Sequence, residues 1–269
     1  MIKKKMFVVF ALIFIIALSV LLFNLFKAKL GEQGYKEVAE HYAAQPPPSE
    51  QQLSGAAGNL NETAQDGSVA QPEILENPVD FEALGKRNPD IYAWISIPGT
   101  AVNYPLVQSA DDDSYYLNHT VEGVKGYPGS IYTERLNMKD FNDPNTVIYG
   151  HNMKDGTMFG GLHQYKDRDY MRDNAFIYIY TPQQVFQYRI FGGITYDDRH
   201  ILKFFDFETE TQYQQYLDSL FQVRNLSSYI DEEIAVDTDD RIITLSTCTK
   251  SDDQRFLLLA VLIQEQPDE

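Results

Sequence analysis

The 269-residue sequence contains a single cysteine, Cys248. One cysteine excludes any disulfide bond within the chain, so an exported domain of this sequence would have to fold without the cross-links that such domains often use. A lone thiol is either a small buried hydrophobic group or a reactive one. Taken alone, Cys248 is compatible with both interpretations.

Positive charge is also scarce. The chain carries 22 Lys and Arg against 39 Asp and Glu, a formal net charge of −17. Proteins that bind nucleic acid gain affinity by neutralising phosphates, so this balance excludes nucleic acid as a partner. The acidity is typical of a well-solvated protein surface.

One long run, residues 6–26, has no charged residue, and its polar members are Ser19 and Asn24. As a helix it would be about 31 Å long, which matches the hydrocarbon thickness of a bilayer. The run is longer than the apolar part of a cleaved signal peptide, and no small-residue cleavage site follows it. We therefore expect an uncleaved transmembrane anchor. A buried core helix is the alternative, which the lack of an amphipathic pattern disfavours.

The flanking charges predict an orientation. Three Lys precede the run and two follow it, so the positive-inside rule favours a cytoplasmic N-terminus by a narrow margin. We expect a single-pass protein of the cell membrane, with residues 1–29 as cytoplasmic tip and anchor. Everything after the anchor would be extracellular.

Beyond the anchor the composition divides the chain in two. Residues 30–77 are rich in Gln, Ser, Gly, Pro and Ala and poor in aromatic residues, which predicts a flexible extracellular stalk, with a short helix considered for residues 34–44. Residues 78–269 are rich in aromatics and predict one folded domain. Its strand-like runs are 91–97, 102–108, 129–133, 146–150, 176–181, 185–196, 241–247 and 254–264.

These eight short strands, with helices predicted at residues 81–86, 158–174 and 209–223, indicate a mainly β fold with added helices. A small closed or partly closed β-barrel is the natural architecture for such a pattern. The last run, 254–264, is almost wholly apolar, so we expect it to be a central strand buried on both faces.

Three residues at strand ends suggest chemistry. Cys248 ends one predicted strand and Arg255 opens the next, so a hairpin would bring them side by side. A guanidinium there would favour the thiolate or hold a developing oxyanion. His151 ends another strand and could exchange protons with the reacting groups. A Cys–His–Arg site and a buried Cys with two unrelated polar residues both remain open on these residues alone.

Several segments resemble the sortases, cysteine transpeptidases of Gram-positive bacteria. The signature segments are TLSTC (244–248) with Arg255 seven residues later, and IYGHNM (148–153). Similarity extends over IYAWISIPGTAVNYPLVQ (91–108), YYLNH (115–119), GYPGSIYTE (126–134) and MFGGLHQY (158–165). The spacing from GHNM to MF and the helix before the cysteine strand are most similar to class B sortases.

The resemblance implies an eight-stranded sortase-type β-barrel with three catalytic residues. Cys248 would be the nucleophile, His151 the general acid/base, and Arg255 the group that holds the oxyanion or the substrate carbonyl. The thiolate would cleave a C-terminal sorting motif of a secreted surface protein after Thr and form a thioester. An amine of the peptidoglycan cross-bridge or lipid II, or a pilin lysine, would then resolve it, with hydrolysis as a side reaction. No metal or organic cofactor is implied, and an NPxTN-like and an LPxTG-like motif both stay open.

A second set of residues matches positions that line the peptide groove of class B sortases. For each of them, ordinary packing in the barrel or simple sealing of the barrel by a helix is the alternative. The strand residues Tyr149 and Ser246 should share a face with His151 and Cys248, because residues two apart on a strand point the same way. The full set comprises Asn103, Val107, Tyr149, Ser246, Tyr213, Tyr216 and Leu217.

The remaining histidines and acids predict no site. His119 and His163 lack metal-site spacing. The acid runs 111–113 and 237–240 are expected to be solvated loops rather than calcium sites. Among rival functions, an L,D-transpeptidase would need Ser-x-Gly-Cys, whereas the sequence here is Ser246-Thr-Cys248. A hydrolytic cysteine protease would share the thioester, and an inactive surface scaffold would be expected to lack one of the three catalytic residues.

Overall fold

The computed structural model describes residues 2–42, 77–223 and 227–267. Within these ranges nine strands form one sheet. They are β1 (Ile91–Ser96), β2 (Asn103–Val107), β3 (Ile131–Thr133), β4 (Asn145–Tyr149), β5 (Phe176–Tyr180), β6 (Gln184–Asp197), β7 (Tyr229–Ile230), β8 (Ile242–Cys248) and β9 (Gln254–Pro267).

The sheet closes into a barrel. The strand order is β5-β1-β2-β3-β4-β8-β9-β6, and a β5–β6 pairing joins the two ends. The two-residue strand β7 pairs with β6 beside this closure. The eight-stranded barrel expected from the sequence is therefore confirmed for the described residues. Strand β7 is a small addition, and two residues are too few to give a strand pattern in the sequence.

Strand β9 lies at the centre of the sheet, between β8 and β6. Residues 256–261 of β9 are all buried, as expected from their apolar run. The barrel interior is filled by large side chains such as Trp94, Ile95 and Phe186, all fully buried. A second apolar cluster lies on the outer face, under the helix that precedes β8.

The helices are α1 (Ile2–Tyr42), α2 (Phe81–Arg87), α3 (Arg168–Asp173), α4 (Ile201–Phe204) and α5 (Glu210–Phe221), with 3₁₀ turns at Tyr115–Leu117 and Gly160–Lys166. Helix α5 places Tyr213, Tyr216 and Leu217 on one face, as its spacing predicts, and all three are buried against the outer face of the sheet. This packing fixes the connection between β6 and β8, at whose end Cys248 lies.

Helix α1 is continuous from the N-terminal segment to the barrel. Near its end Tyr35 and Val38 are buried, and the Tyr35 hydroxyl donates to the carbonyl of Gly129 over 2.5 Å. The ring of Tyr35 meets Tyr104 of β2 edge-on at 5.7 Å. Residues 30–42 of the expected stalk are thus helical and end on the barrel, whereas residues 43–76 lie outside the described residues.

The N-terminal part of α1 carries exposed apolar side chains, with Phe14 exposed to 68% and Ile16 to 63%. A search of the described residues identifies no helix with the length and apolar character needed to cross a bilayer. The anchor at residues 6–26 stays a prediction.

Candidate active site

Cys248 is the last residue of β8, and it is exposed. In the antiparallel pairing of β8 with β9, Cys248 lies directly opposite Arg255. Residues opposite each other across two antiparallel strands have Cβ atoms about 5 Å apart on the same face. The hairpin expected from the sequence therefore exists, and its two ends carry the thiol and the guanidinium.

His151 reaches the same place along β4, which runs parallel to β8 and pairs Tyr149 with Ser246. Two residues further on each chain, His151 is level with Cys248. Gly150 makes this approach possible, because a Cβ there would lie 2.6 Å from Ile131 Cδ1 and from Phe159 Cδ2. Any residue other than glycine at position 150 would clash with these two side chains, so Gly150 allows His151 to take its position beside them.

The contacts of His151 fix its tautomer. Its Nε2 lies 2.6 Å from the carbonyl oxygen of Leu117, and because a carbonyl can only accept, Nε2 carries a proton. The ring also lies 5.0 Å from that of Tyr127. The Leu117 carbonyl thus holds Nε2 of the imidazole at the edge of the cleft that contains Cys248.

His151 and Cys248 both line one cleft of about 1020 Å³. The other walls come from the loop after His151, the 3₁₀ turn Gly160–Lys166 and the turn between β8 and β9. Thr195 and Phe256 also line the cleft, and they pair with each other across β6 and β9. Phe256 directly follows Arg255, and successive residues of a strand point to opposite faces, so this pair lies on the face of the sheet opposite to Cys248 and Arg255.

Two side chains hold the backbone of the cysteine. Asn152 Nδ2 donates to the carbonyl oxygen of Cys248 over 2.9 Å, and His163 Nε2 donates to the same oxygen over 3.2 Å. In the parallel ladder the Gly150 amide donates to the carbonyl of Ser246, so continuation would bring the amide of residue 152 to Cys248. The Asn152 side chain makes that bond instead, and the β4 backbone can turn away after His151.

His163 is half-buried beside Phe256, with ring centroids 4.7 Å apart. Burial lowers the pKa of His163 below its ordinary value, the hydrogen bond to the Cys248 carbonyl opposes that shift, and the charge of Lys166 adds to it. His163 is therefore neutral near pH 7, with the proton on the nitrogen that faces Cys248.

The guanidinium of Arg255 is held by its own turn. It donates to the carbonyls of Gln254 over 2.9 Å and Asp252 over 3.1 Å. These bonds hold the guanidinium against the backbone of the turn between β8 and β9.

Comparisons with known proteins decide the family. The sequence model of the Sortase domain matches residues 95–263, more than half of the chain. The chain belongs to the sortase family.

Its relatives include sortase B of Listeria monocytogenes, 35% identical over 175 residues that cover 65% of this chain and 69% of the relative. Sortase B of Staphylococcus aureus is 36% identical over 171 residues, which cover 62% and 67%. Among solved structures, the complex of S. aureus sortase B with substrate matches with a TM-score of 0.60 and 32% identity, over 68% of this chain and 84% of that one. Sortase B of Clostridium perfringens matches with a TM-score of 0.61 and 28% identity, over 69% and 100%.

In this sortase the expected groove residues fall into two groups. Tyr149 and Ser246 lie opposite each other on the face that Cys248 shares, and Tyr149 stacks on Tyr132 at 5.4 Å. Tyr132 pairs with Tyr149 across β3 and β4, and burial is the main cause that raises its pKa, with smaller contributions from Glu134 and Cys248. Sequence reasoning had not selected Tyr132.

The other expected groove residues are packed in this sortase. Val107 is fully buried, and the Asn103 side chain accepts a hydrogen bond from Trp94 Nε1 over 2.7 Å. On α5, the hydroxyl of Tyr216 hydrogen-bonds Thr244 Oγ1 at 3.0 Å. Contact of these residues with a peptide stays a prediction, and their burial favours the packing role that the sequence left as the alternative.

The same burial applies to Tyr213 and Leu217 of α5, which are each exposed to 1%. His200, just before α4, lies near Tyr149, with ring centroids 6.5 Å apart. His200 Nε2 also lies 2.7 Å from a carboxylate oxygen of Glu134. Burial is the main cause that raises the pKa of Glu134.

The acid runs behave as loops. Asp113 pairs with Arg135 over 2.9 Å, and Asp112 accepts a hydrogen bond from the Ser114 amide. In the part of the sortase that the structure describes, no three His, Cys, Asp or Glu side chains are grouped to hold a metal ion.

Proposed function

We propose that this sortase uses Cys248, His151 and Arg255 to cleave a C-terminal sorting motif of secreted surface proteins and to transfer the acyl group to an amine. The observation that supports it most is the register of three strands. Arg255 lies opposite Cys248, and the parallel β4–β8 ladder brings His151 level with it. The exposure of Cys248 suits a nucleophile rather than a packing residue.

The reaction has two halves. The Cys248 sulfur attacks the Thr carbonyl of the sorting motif, while Arg255 stabilises the oxyanion, and the C–N bond breaks as His151 gives its proton to the leaving amine. An amine of the peptidoglycan cross-bridge or lipid II, or a pilin lysine, then attacks the thioester. The new amide forms, the C–S bond breaks, and the thiolate is restored. Water can replace the amine, with hydrolysis as the side reaction.

The location follows from the sequence. Residues 6–26 would anchor the protein in the cell membrane with the N-terminus in the cytoplasm, so that the cleft faces the cell exterior. The exposed apolar side chains of α1, such as Phe14 at 68% and Ile16 at 63%, support this assignment, because an apolar helix surface of this kind suits the interior of a bilayer.

The test uses the full chain in detergent with fluorogenic peptides that carry NPxTN-like and LPxTG-like motifs. Mass spectrometry should find the peptide acyl group on Cys248, and an added amine should turn the released product from acid to amide. The matched control is Cys248→Ala, which should give neither species while unfolding at the same temperature. A cleaved peptide with no amide product at any amine concentration would favour a protease, and cleavage by Cys248→Ala would refute the nucleophile.

A further inference from the structure

The cleft beside Cys248 differs in charge from the rest of the chain. Three of its lining side chains are Lys154, Lys166 and Lys250, all exposed. Among the described residues that line it, none is Asp or Glu. In a chain with 39 acids and 22 basic residues, a lining of three lysines and no carboxylate is a local excess of positive side chains that the overall composition does not predict.

The nearest acids are already engaged. Asp155 accepts hydrogen bonds from the amide of Thr157 over 3.1 Å and from its hydroxyl over 2.6 Å. Asp253 accepts one from the hydroxyl of Ser251. Among the described residues, none of the three cleft lysines forms an ion pair. Their ammonium groups are therefore available to an incoming anion.

The cleft and the predicted peptide groove lie on different sides of Cys248. The residues predicted to contact the sorting peptide, Tyr149 and Ser246, lie on the face that Cys248 shares. Thr195 and Phe256, which line the cleft, belong to the other face. A peptide that occupies the first face leaves the lysine side open, and a second substrate can reach the thioester from there.

We infer that this cleft binds the acyl acceptor and selects an amine whose molecule also carries a carboxylate. The inference rests on the proposed function, because it assumes that an amine resolves the Cys248 thioester. The neutral amine nitrogen attacks the thioester carbonyl, the C–N bond forms, the C–S bond breaks, and the amine gives one proton to His151, which lost its own in the first half of the reaction, as the thiolate leaves. The lysines take no part in these bonds and hold the carboxylate of the acceptor.

Two acceptors of matched size test the charge. Triglycine and triglycinamide share the same amine end, and they differ in whether the far end carries a carboxylate. With the full chain in detergent and one sorting peptide, the ratio of amide to hydrolysis product should be roughly three- to tenfold higher for triglycine at low salt, as expected for a few exposed charge pairs. The preference should fall as salt is added, because exposed charges are screened.

Substitution assigns the preference to the cleft. The triple variant Lys154→Gln, Lys166→Gln, Lys250→Gln should accept both tripeptides equally and keep the wild-type KM for the sorting peptide. The control variant is Lys86→Gln, whose lysine pairs with Glu82 on α2. A wild-type enzyme that does not distinguish the tripeptides overturns the inference, and so does a triple variant that changes only the KM of the sorting peptide.

A binding arm separates this inference from the proposed function. In Cys248→Ala, the ring signals of His163 should shift in NMR spectra when triglycine is added and stay in place with triglycinamide. Equal shifts, or none with either peptide, overturn the inference even if the wild type is an active transpeptidase. Conversely, selective shifts with no thioester on the wild-type Cys248 would leave the anion site standing and reject the proposed reaction.

Discussion

Asn152 Nδ2 donates to the backbone carbonyl of Cys248 over 2.9 Å, in the position that the β4 backbone would occupy if the parallel ladder continued. The bond ties the residue that follows His151 to the residue that carries the thiol. Beyond the end of the β4–β8 ladder, this side chain therefore helps to fix the position of His151 relative to Cys248, with His163 as a second donor to the same oxygen.

Asn152→Ala removes one of these donors, and we expect it to lower kcat roughly five- to tenfold with little change in KM, since a neutral hydrogen bond contributes about 1 kcal/mol. The readouts are acylation kinetics and the pH profile of Cys248 alkylation. Because the two donors share one acceptor, the effects of Asn152→Ala and His163→Phe on the activation free energy, obtained from kcat, should not be additive in the double variant. A double variant that is simply additive, with an unaltered alkylation profile, would show that Asn152 is only structural.

Arg255→Lys should reduce kcat about 100-fold or more, because Lys keeps the charge but lacks the planar fork that meets an oxyanion from a fixed direction. Single-turnover acylation measures it. Arg172→Lys, on the exposed face of α3 where Arg172 pairs with Asp169, is the control and should be unchanged. Near-normal kcat in Arg255→Lys would restrict Arg255 to its bonds with the carbonyls of its own turn.

His163 makes stability depend on pH in a defined direction. Its pKa in the folded protein lies below the ordinary value of 6.5, so the unfolded chain binds the proton more readily. The contribution to stability is complete above the ordinary pKa and is lost as the pH falls through it. Between pH 7.5 and 5.5, His163→Gln, which keeps a donor for the Cys248 carbonyl, should lose less unfolding free energy than the wild type. Parallel urea-unfolding curves at the two pH values would contradict this assignment.

Tyr216→Phe distinguishes packing from substrate contact on α5. The variant removes the bond to Thr244 Oγ1 and should cost about 1 kcal/mol of unfolding free energy. The KM for the sorting peptide should stay at the wild-type value. A severalfold higher KM at unchanged stability would instead place Tyr216 in the peptide groove.

Tyr35→Ala tests the attachment of α1 to the barrel. Tyr35 is buried, and that burial raises its pKa to about 12; its removal should cost about 3–5 kcal/mol of unfolding free energy, as for other buried aromatic side chains. Denaturant unfolding of the full chain measures it, with Leu136→Ala, an exposed apolar residue, as the control. Equal stability of the two variants would mean that α1 contributes nothing to the folded domain.

The strands of the barrel can be predicted from the sequence because each one is encoded by a short, continuous run of residues. Each strand is an apolar or alternating run closed by turn residues, and the hairpin that joins Cys248 to Arg255 needs only the short spacing between them. The central position of β9 follows from its unbroken apolar run. Strand β7 and helix α4 are too short to leave such a pattern.

The parts of the site that the sequence does not reveal depend on distant residues. His163 lies 85 positions before Cys248, and its bond to that carbonyl requires the 3₁₀ turn to be placed first. Tyr132 of β3 stacks on Tyr149, and His200, from the segment before α4, lies tilted to the same ring at 6.5 Å. One usable signal in the sequence is Asn152, the residue directly after His151, because it continues a strand parallel to that of Cys248.

The end of α1 also bears on how far the enzyme can reach. About nine residues of helix, or roughly 13 Å, separate the end of the proposed anchor from Tyr35. A loose tether would let the cleft sample a wide range of heights above the bilayer. If residues 6–26 are the anchor, as proposed, a helix that is continuous up to its contact with Gly129 would hold the cleft at a nearly constant height, and the proposed acceptor amine would have to be presented within a thin layer at that height.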